Sequence, residues 1–194
     1  MAAEIILESE LILAASAANA AEYSALPAEY RETRWYAAYT SANHEKRVAE
    51  QMGVRRVENF LPLYASVRRW KNRRVTLERP LFPGYVFVRL ALQDKLRVQT
   101  IPGVAWLVGF GQTPTALPDE EIGALRISLA SGLRAVPHPY LAAGRRAQVQ
   151  SGPLAGLIGV LVRRKSGGRF VISVDLIQRS VAVEMDEANL VAFP

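Results

Sequence analysis

The feature that most constrains this chain of 194 residues is a change of texture well past its middle. Residues 131 to 144 hold Gly132, Pro137, Pro139 and Gly144 without apolar periodicity, which marks a linker or domain boundary. Before the break, helical and strand patterns alternate. From Ala147 onward, short apolar runs are punctuated by Gly152-Pro153, Gly156, Gly159 and Gly167-Gly168, with no helical spacing. Such a pattern predicts a small all-β barrel of about fifty residues. The chain therefore divides into an N-terminal extension (1–33), a first domain (34–131), a linker (132–144) and a barrel (145–194).

Within the first domain, Trp35 to Thr40 (WYAAYT) is aromatic and apolar enough for a buried strand. Asn43 can cap a helix over 43–55, where Val48 and Met52 stand one turn apart behind it. Asn59 to Val67 and Val75 to Glu78 are strand-like and enclose Arg68, Arg69, Trp70, Lys71, Asn72, Arg73 and Arg74, so they predict a hairpin with a basic tip. Pro83-Gly84 is a turn feeding Tyr85 to Leu90 (YVFVRL), expected as a central strand. A short helix around Gln93 to Thr100 and a strand from Val104 to Phe110 follow. Pro118 then opens a helix with Asp119, Glu120 and Glu121 in its first turn and Ile122, Leu125 and Leu129 on one face. This order of elements implies an α+β fold.

Composition removes whole classes of chemistry. There is no Cys, and His44 and His138 are the only imidazoles, so thiolate nucleophiles, disulfides and ordinary zinc sites are excluded. No Walker-type GxxxxGK[ST] or carboxylate constellation suggests a nucleic-acid enzyme, and no cofactor or metal is expected. Met1 to Ala21 is Ala-rich, but Glu4, Glu8 and Glu10 precede any base and Leu11 to Ala21 is about half a membrane span, so neither signal peptide nor anchor fits. A cytoplasmic protein without membrane association is expected.

The net charge of +6 is unevenly placed: residues 1–30 carry −5 and residues 31–79 carry +7. A field concentrated in this way favours a polyanion, with nucleic acid the commonest. On physical grounds alone Phe82 to Tyr85 is a turn feeding a core strand, and the arginine cluster is either a solvated tip or a nucleic-acid contact.

Taken together, these motifs resemble the NusG factors over roughly Trp35 to Ala192. Trp35-Tyr36, the run Phe82-Pro83-Gly84-Tyr85-Val86-Phe87-Val88, and Ile101-Pro102-Gly103-Val104 with Val108-Gly109-Phe110 carry the first-domain resemblance. The run from Val149 to Val160 (VQSGPLAGLIGV) resembles a KOW motif opening an SH3-like barrel. Leu81-Phe82-Pro83, Phe110-Gly111 followed by Pro114, and the compact basic hairpin are similar to specialised RfaH- and UpxY-like members that serve a subset of operons. Where the housekeeping factor carries Ile-Phe-Gly-Arg, this chain has Leu176-Ile177-Gln178-Arg179, a departure that argues against binding Rho.

The resemblance implies an antiparallel sheet flanked by helices, then a five-stranded barrel. It implies a monomeric transcription elongation or antitermination factor, not an enzyme, that docks on the clamp of the largest RNA polymerase subunit. Phe82, Pro83, Gly84 and Tyr85 match the docking surface, with Phe82 and Tyr85 expected as exposed aromatics of a concave patch. Lys46 and Arg47, with Arg68, Arg69, Trp70, Lys71, Arg73 and Arg74, are expected near the DNA of the transcription bubble. Leu176, Ile177 and Arg179 are candidates for an adaptor surface toward a ribosomal protein. The alternatives are a ribosome-associated or other RNA-binding KOW protein and, from another class, a nucleic-acid enzyme.

Overall fold

Strand β1 (Arg34–Thr40) alternates Trp35 and Ala37 on one face with Tyr36 and Ala38 on the other, and all four are buried. A strand apolar on both faces needs cover on both sides. The computed structural model describes residues 27–70, 73–111, 113–139, 145–152, 154–164, 167–184 and 189–192, leaving most of the expected N-terminal extension outside. A short helix, α1 (Ala28–Arg31), precedes β1. Among the described residues no helix is long and apolar enough to cross a membrane.

The first domain is built on a four-stranded antiparallel sheet that also contains β2 (Glu58–Phe60), β5 (Tyr85–Leu90) and β6 (Val104–Leu107), in the order β2-β5-β1-β6. On one face, α2 (Glu45–Val54) and α3 (Leu96–Gln99) bring Val48, Met52 and Val98 onto Tyr36, Ala38, Val86 and Val88. On the other, Leu117 and the helix α4 (Asp119–Ala130), through Ile122 and Leu125, cover Trp35, Ala37 and Phe87. Burying each such side chain contributes about 1.5–3 kcal/mol.

Three expected elements are divided. The strand expected over 59–67 breaks at Pro62, whose carbonyl accepts the Leu81 N–H at 2.9 Å. Its second half, β3 (Leu63–Trp70), leaves the sheet and pairs with β4 (Arg73–Pro80) as a separate ribbon. The expected helix over 93–100 is a 3₁₀ turn (Leu92–Asp94) followed by α3. The strand expected over 104–110 ends at Leu107, because Gly109 and Phe110 (β7) turn back on Thr113 and Pro114 (β8) as a second small hairpin.

The C-terminal unit is a six-stranded antiparallel sheet rather than the five strands expected. Its order is β14 (Leu190–Ala192), β10 (Arg145–Val149), β11 (Ile158–Arg164), β12 (Gly167–Val174), β13 (Arg179–Glu184) and β9 (Ala135–His138). The additional strand, β9, comes from the stretch read as linker. Pro137 lacks an N–H, and an edge position accommodates it. One continuous buried cluster joins Trp35, Phe87, Ile122 and Leu125 to Val149, Phe170, Ile172, Ile177 and Val181 of this sheet.

Candidate functional site

Pro83 and Gly84 make the turn into β5, and the surrounding chain holds that turn from two sides. The Gly84 N–H donates to Oε1 of Glu45 on α2 at 2.7 Å, and the Gly84 carbonyl accepts the Thr40 N–H at 2.8 Å. Gly84 has φ of +86°, and a Cβ there would lie 3.2 Å from the Tyr39 ring. Only glycine meets both conditions without strain.

The fixed turn starts β5 in register, so Tyr85 stands opposite Tyr39, which stands opposite Trp106 on β6. The three rings form a row across three strands. Tyr39 and Tyr85 meet edge to face at 5.3 Å between centroids, and Tyr39 stacks on Trp106 at 4.6 Å. Both are favourable aromatic arrangements. Trp106 nevertheless keeps 53 % of its surface exposed, and Phe110, on the β7–β8 hairpin, keeps 78 %.

The expectation of an exposed Phe82 is corrected: its ring is 1 % exposed and meets Phe87 nearly perpendicularly at 5.5 Å. The Leu81–Pro62 hydrogen bond draws the segment inward, and the turn closes with the Tyr85 N–H on the Phe82 carbonyl at 3.1 Å. Tyr85 is half-buried and Pro83 exposed. The accessible aromatic surface thus contains half-buried Tyr39 and exposed Trp106, which no motif singled out, and exposed Phe110, which was quoted for the resemblance and not as a docking residue. Tyr39 and Trp106 stand in the runs WYAAYT and VAWL, and only the pairing of β1 with β6 brings their rings together.

In the β3–β4 ribbon, Arg69 stands opposite Arg74 and Trp70 opposite Arg73. Lys71 lies outside the described residues, as do the side chains of Arg68, Arg69 and Trp70. Arg73 and Arg74 are exposed. Lys46 of α2 reaches Glu78 of β4 at 4.0 Å, an exposed pair that contributes little energy but relates the helix to the ribbon. Arg47 is exposed.

At the far end of the chain, Leu176 and Ile177 lie in a 3₁₀ turn (Asp175–Ile177) between β12 and β13. Ser173 and Ser180 join the flanking strands through their hydroxyls at 2.8 Å. Ile177 is buried, Leu176 packs on the shared core half-buried, and Arg179 is exposed. His44 Nδ1 lies 3.0 Å from the Ala42 carbonyl and His138 Nδ1 2.7 Å from that of Pro139. Among the described residues, no group of three or more His, Asp or Glu side chains could hold a metal ion.

The family model described as transcription termination factor nusG matches residues 33–126, the unit that carries the aromatic row and the basic ribbon. The transcription termination/antitermination protein NusG of Thermus thermophilus is 29% identical over 178 residues, covering 81% of this chain and 97% of its own length. The protein of the same name from Escherichia coli K12 is 28% identical over 174 residues, with 81% and 95% covered. A solved structure described as domain interaction in Thermotoga maritima NusG shares the fold with a TM-score of 0.55 at 18% identity, covering 85% of this chain and 99% of its own. With a family domain over residues 33–126 and relatives that match along most of their own length, this chain is similar to the NusG proteins.

Proposed function

We infer that the protein is a cytoplasmic transcription elongation and antitermination factor that binds RNA polymerase through the aromatic row and touches DNA with the ribbon. Exposed aromatics carry the docking half. Tyr39, Tyr85 and Trp106 are packed on one another, so they present a rigid apolar face at little entropic cost. Such a face fits an apolar ridge on a protein, and the clamp of the largest polymerase subunit is the partner the family resemblance implies. Phe82 is buried and packs on Phe87, so it contributes to the core and not to the exposed face.

The ribbon supplies a different kind of contact. It stands apart from the main sheet, with Arg73 and Arg74 exposed at its end and Lys46 beside it. Exposed guanidinium groups suit phosphate and release counterions when they bind it. Leu176-Ile177-Gln178-Arg179 differs from the housekeeping adaptor sequence, which supports service to a subset of operons through a partner other than Rho.

The deciding experiment measures affinity for RNA polymerase elongation complexes in the parent, Trp106→Ala and Phe110→Ala, with folding checked by circular dichroism. Loss of binding in well-folded variants supports polymerase docking through this face. A parent that binds RNA but not polymerase, after nuclease treatment of the extract, points instead to an RNA-binding KOW protein.

A further inference from the structure

At the end of β5 away from the Pro83-Gly84 turn, the first domain encloses a cavity of about 260 Å³. Arg56, Arg89 and Arg97 line it, together with the carboxylates of Glu58 and Asp94. The three arginines come from the connection after α2, from β5 and from α3, and only the fold brings them together. A drug-sized ligand needs a pocket of roughly 300–1,000 Å³, so this one suits a smaller, charged group.

Arg56 stands in a conformation that its residue type rarely adopts. Its N–H donates to the Gly53 carbonyl at 2.9 Å, and the Val57 N–H donates to the Met52 carbonyl at 2.9 Å, which closes α2 as a Schellman motif. The residue at this place is left-handed, here with φ of +54°, and glycine is its usual occupant. Capping alone would therefore select glycine. The chain instead carries a guanidinium there, on the wall of the cavity. Strain retained at one residue points toward a use for its side chain.

Arg89 supplies an independent observation. It stands opposite Glu58 in the register of β5 and β2, and its Nη1 lies 3.5 Å from Glu58 Oε2. Glu58 Oε1 also accepts from Arg126 Nη2 at 3.2 Å. The Arg89 Nε, however, is shielded from solvent and has no hydrogen-bond partner among the described residues. A shielded donor without an acceptor is costly, and an anion in the cavity satisfies it. Arg97 is held in advance: its Nη2 donates to the Arg55 carbonyl at 2.7 Å, while Arg55 Nη1 donates to the Arg97 carbonyl at 2.8 Å. Arg56, Arg89, Arg97 and Arg126 outnumber Glu58 and Asp94, which leaves the site positive.

We propose that this cavity is a binding site for the phosphate or pyrophosphate group of a small molecule, held by Arg56, Arg89 and Arg97. Planar guanidinium forks match phosphate oxygens and keep their charge at physiological pH. A nucleic-acid backbone offers the same chemistry, but the volume accommodates one such group and not a run of nucleotides. Tyr85 begins β5 whereas Arg89 lies near its end, so the site stands apart from the aromatic row and does not depend on polymerase docking.

Calorimetric titration of the full chain with inorganic pyrophosphate, at constant ionic strength, tests the site. The parent should show one saturable site. Arg56→Gly should weaken binding about tenfold or more, since it removes a charge-assisted hydrogen bond. Its thermal midpoint should stay level or rise, because glycine suits the left-handed position, whereas the loss of a merely structural residue would lower the midpoint and spare the affinity. Asp94→Ala should tighten binding by removing a like charge. The double variant Arg73→Ala, Arg74→Ala, altered only in the ribbon, should bind as the parent does. Absence of a saturable site in the parent overturns the proposal, and so does an Arg56→Gly protein with parental affinity. Displacement of the pyrophosphate by a DNA oligonucleotide with unphosphorylated ends also overturns it and assigns the cavity to a nucleic-acid backbone.

Discussion

The Gly84 N–H donates to the buried carboxylate of Glu45 at 2.7 Å, although the two residues are 39 positions apart. Through that bond, the first turn of α2 holds the turn that sets the register of β5 against β1. Glu45→Ala leaves the N–H without its acceptor and should cost about 1.5–3 kcal/mol, the range for hydrogen bonds to charged groups. Gly84→Ala should cost at least about 1 kcal/mol, since it places a side chain at positive φ and against Tyr39. Urea unfolding at neutral pH measures both, and values near zero would remove the turn from its proposed place in the architecture.

Trp106 and Phe82 should separate binding from stability. Trp106→Ala removes a ring with half its surface in water, so unfolding should shift by about 1 kcal/mol or less, while polymerase affinity falls about tenfold or more. Phe82→Ala opens a cavity beside Phe87 and should cost about 3–5 kcal/mol. Equal losses of stability in the two variants, or an unaltered affinity for Trp106→Ala, would contradict the assignment of the exposed row as the docking face.

The contrast between these residues shows how far the sequence could be read. The aromatic and apolar run WYAAYT disclosed a buried strand, and the Pro83-Gly84 turn announced the central strand. Phe82 misled because a motif identifies a segment, whereas its exposure depends on Pro62, twenty positions earlier, accepting the Leu81 N–H. Trp106 was read as an ordinary strand residue because the stacking partner Tyr39 comes from a strand far away in the chain. The segment 135–138 looked unstructured since Pro137 suits an edge strand as well as a linker.

The ribbon should reveal itself through salt. If Arg73 and Arg74 each neutralise one duplex phosphate, replacing both by Ala should reduce the slope of log affinity against log salt by up to about 1.8. Their exposure means that folding should be nearly unchanged. Affinity for elongation complexes assembled on duplex DNA, measured across a series of potassium chloride concentrations, gives the slope. An identical slope in parent and variant would leave these arginines as solvated tip residues.

Two glycines with opposite surroundings provide the sharpest stability comparison. Gly159 on β11 passes so close to β12 that a Cβ would stand 2.5 Å from Phe170 Cζ and 2.6 Å from the Val171 carbonyl oxygen. The ring can shift only by disturbing the core it fills, and the carbonyl belongs to the paired strand β12, so Gly159→Ala should cost about 1–3 kcal/mol or more. Gly53, in contrast, lies inside α2 with nothing within 4 Å of the added carbon and an ordinary helical φ. There the substitution reduces the freedom of the unfolded chain and should stabilise by about 0.5–1 kcal/mol. Thermal unfolding of the two variants beside the parent should therefore move in opposite directions; a Gly159→Ala protein as stable as the parent would require β11 and β12 to lie farther apart than their present packing.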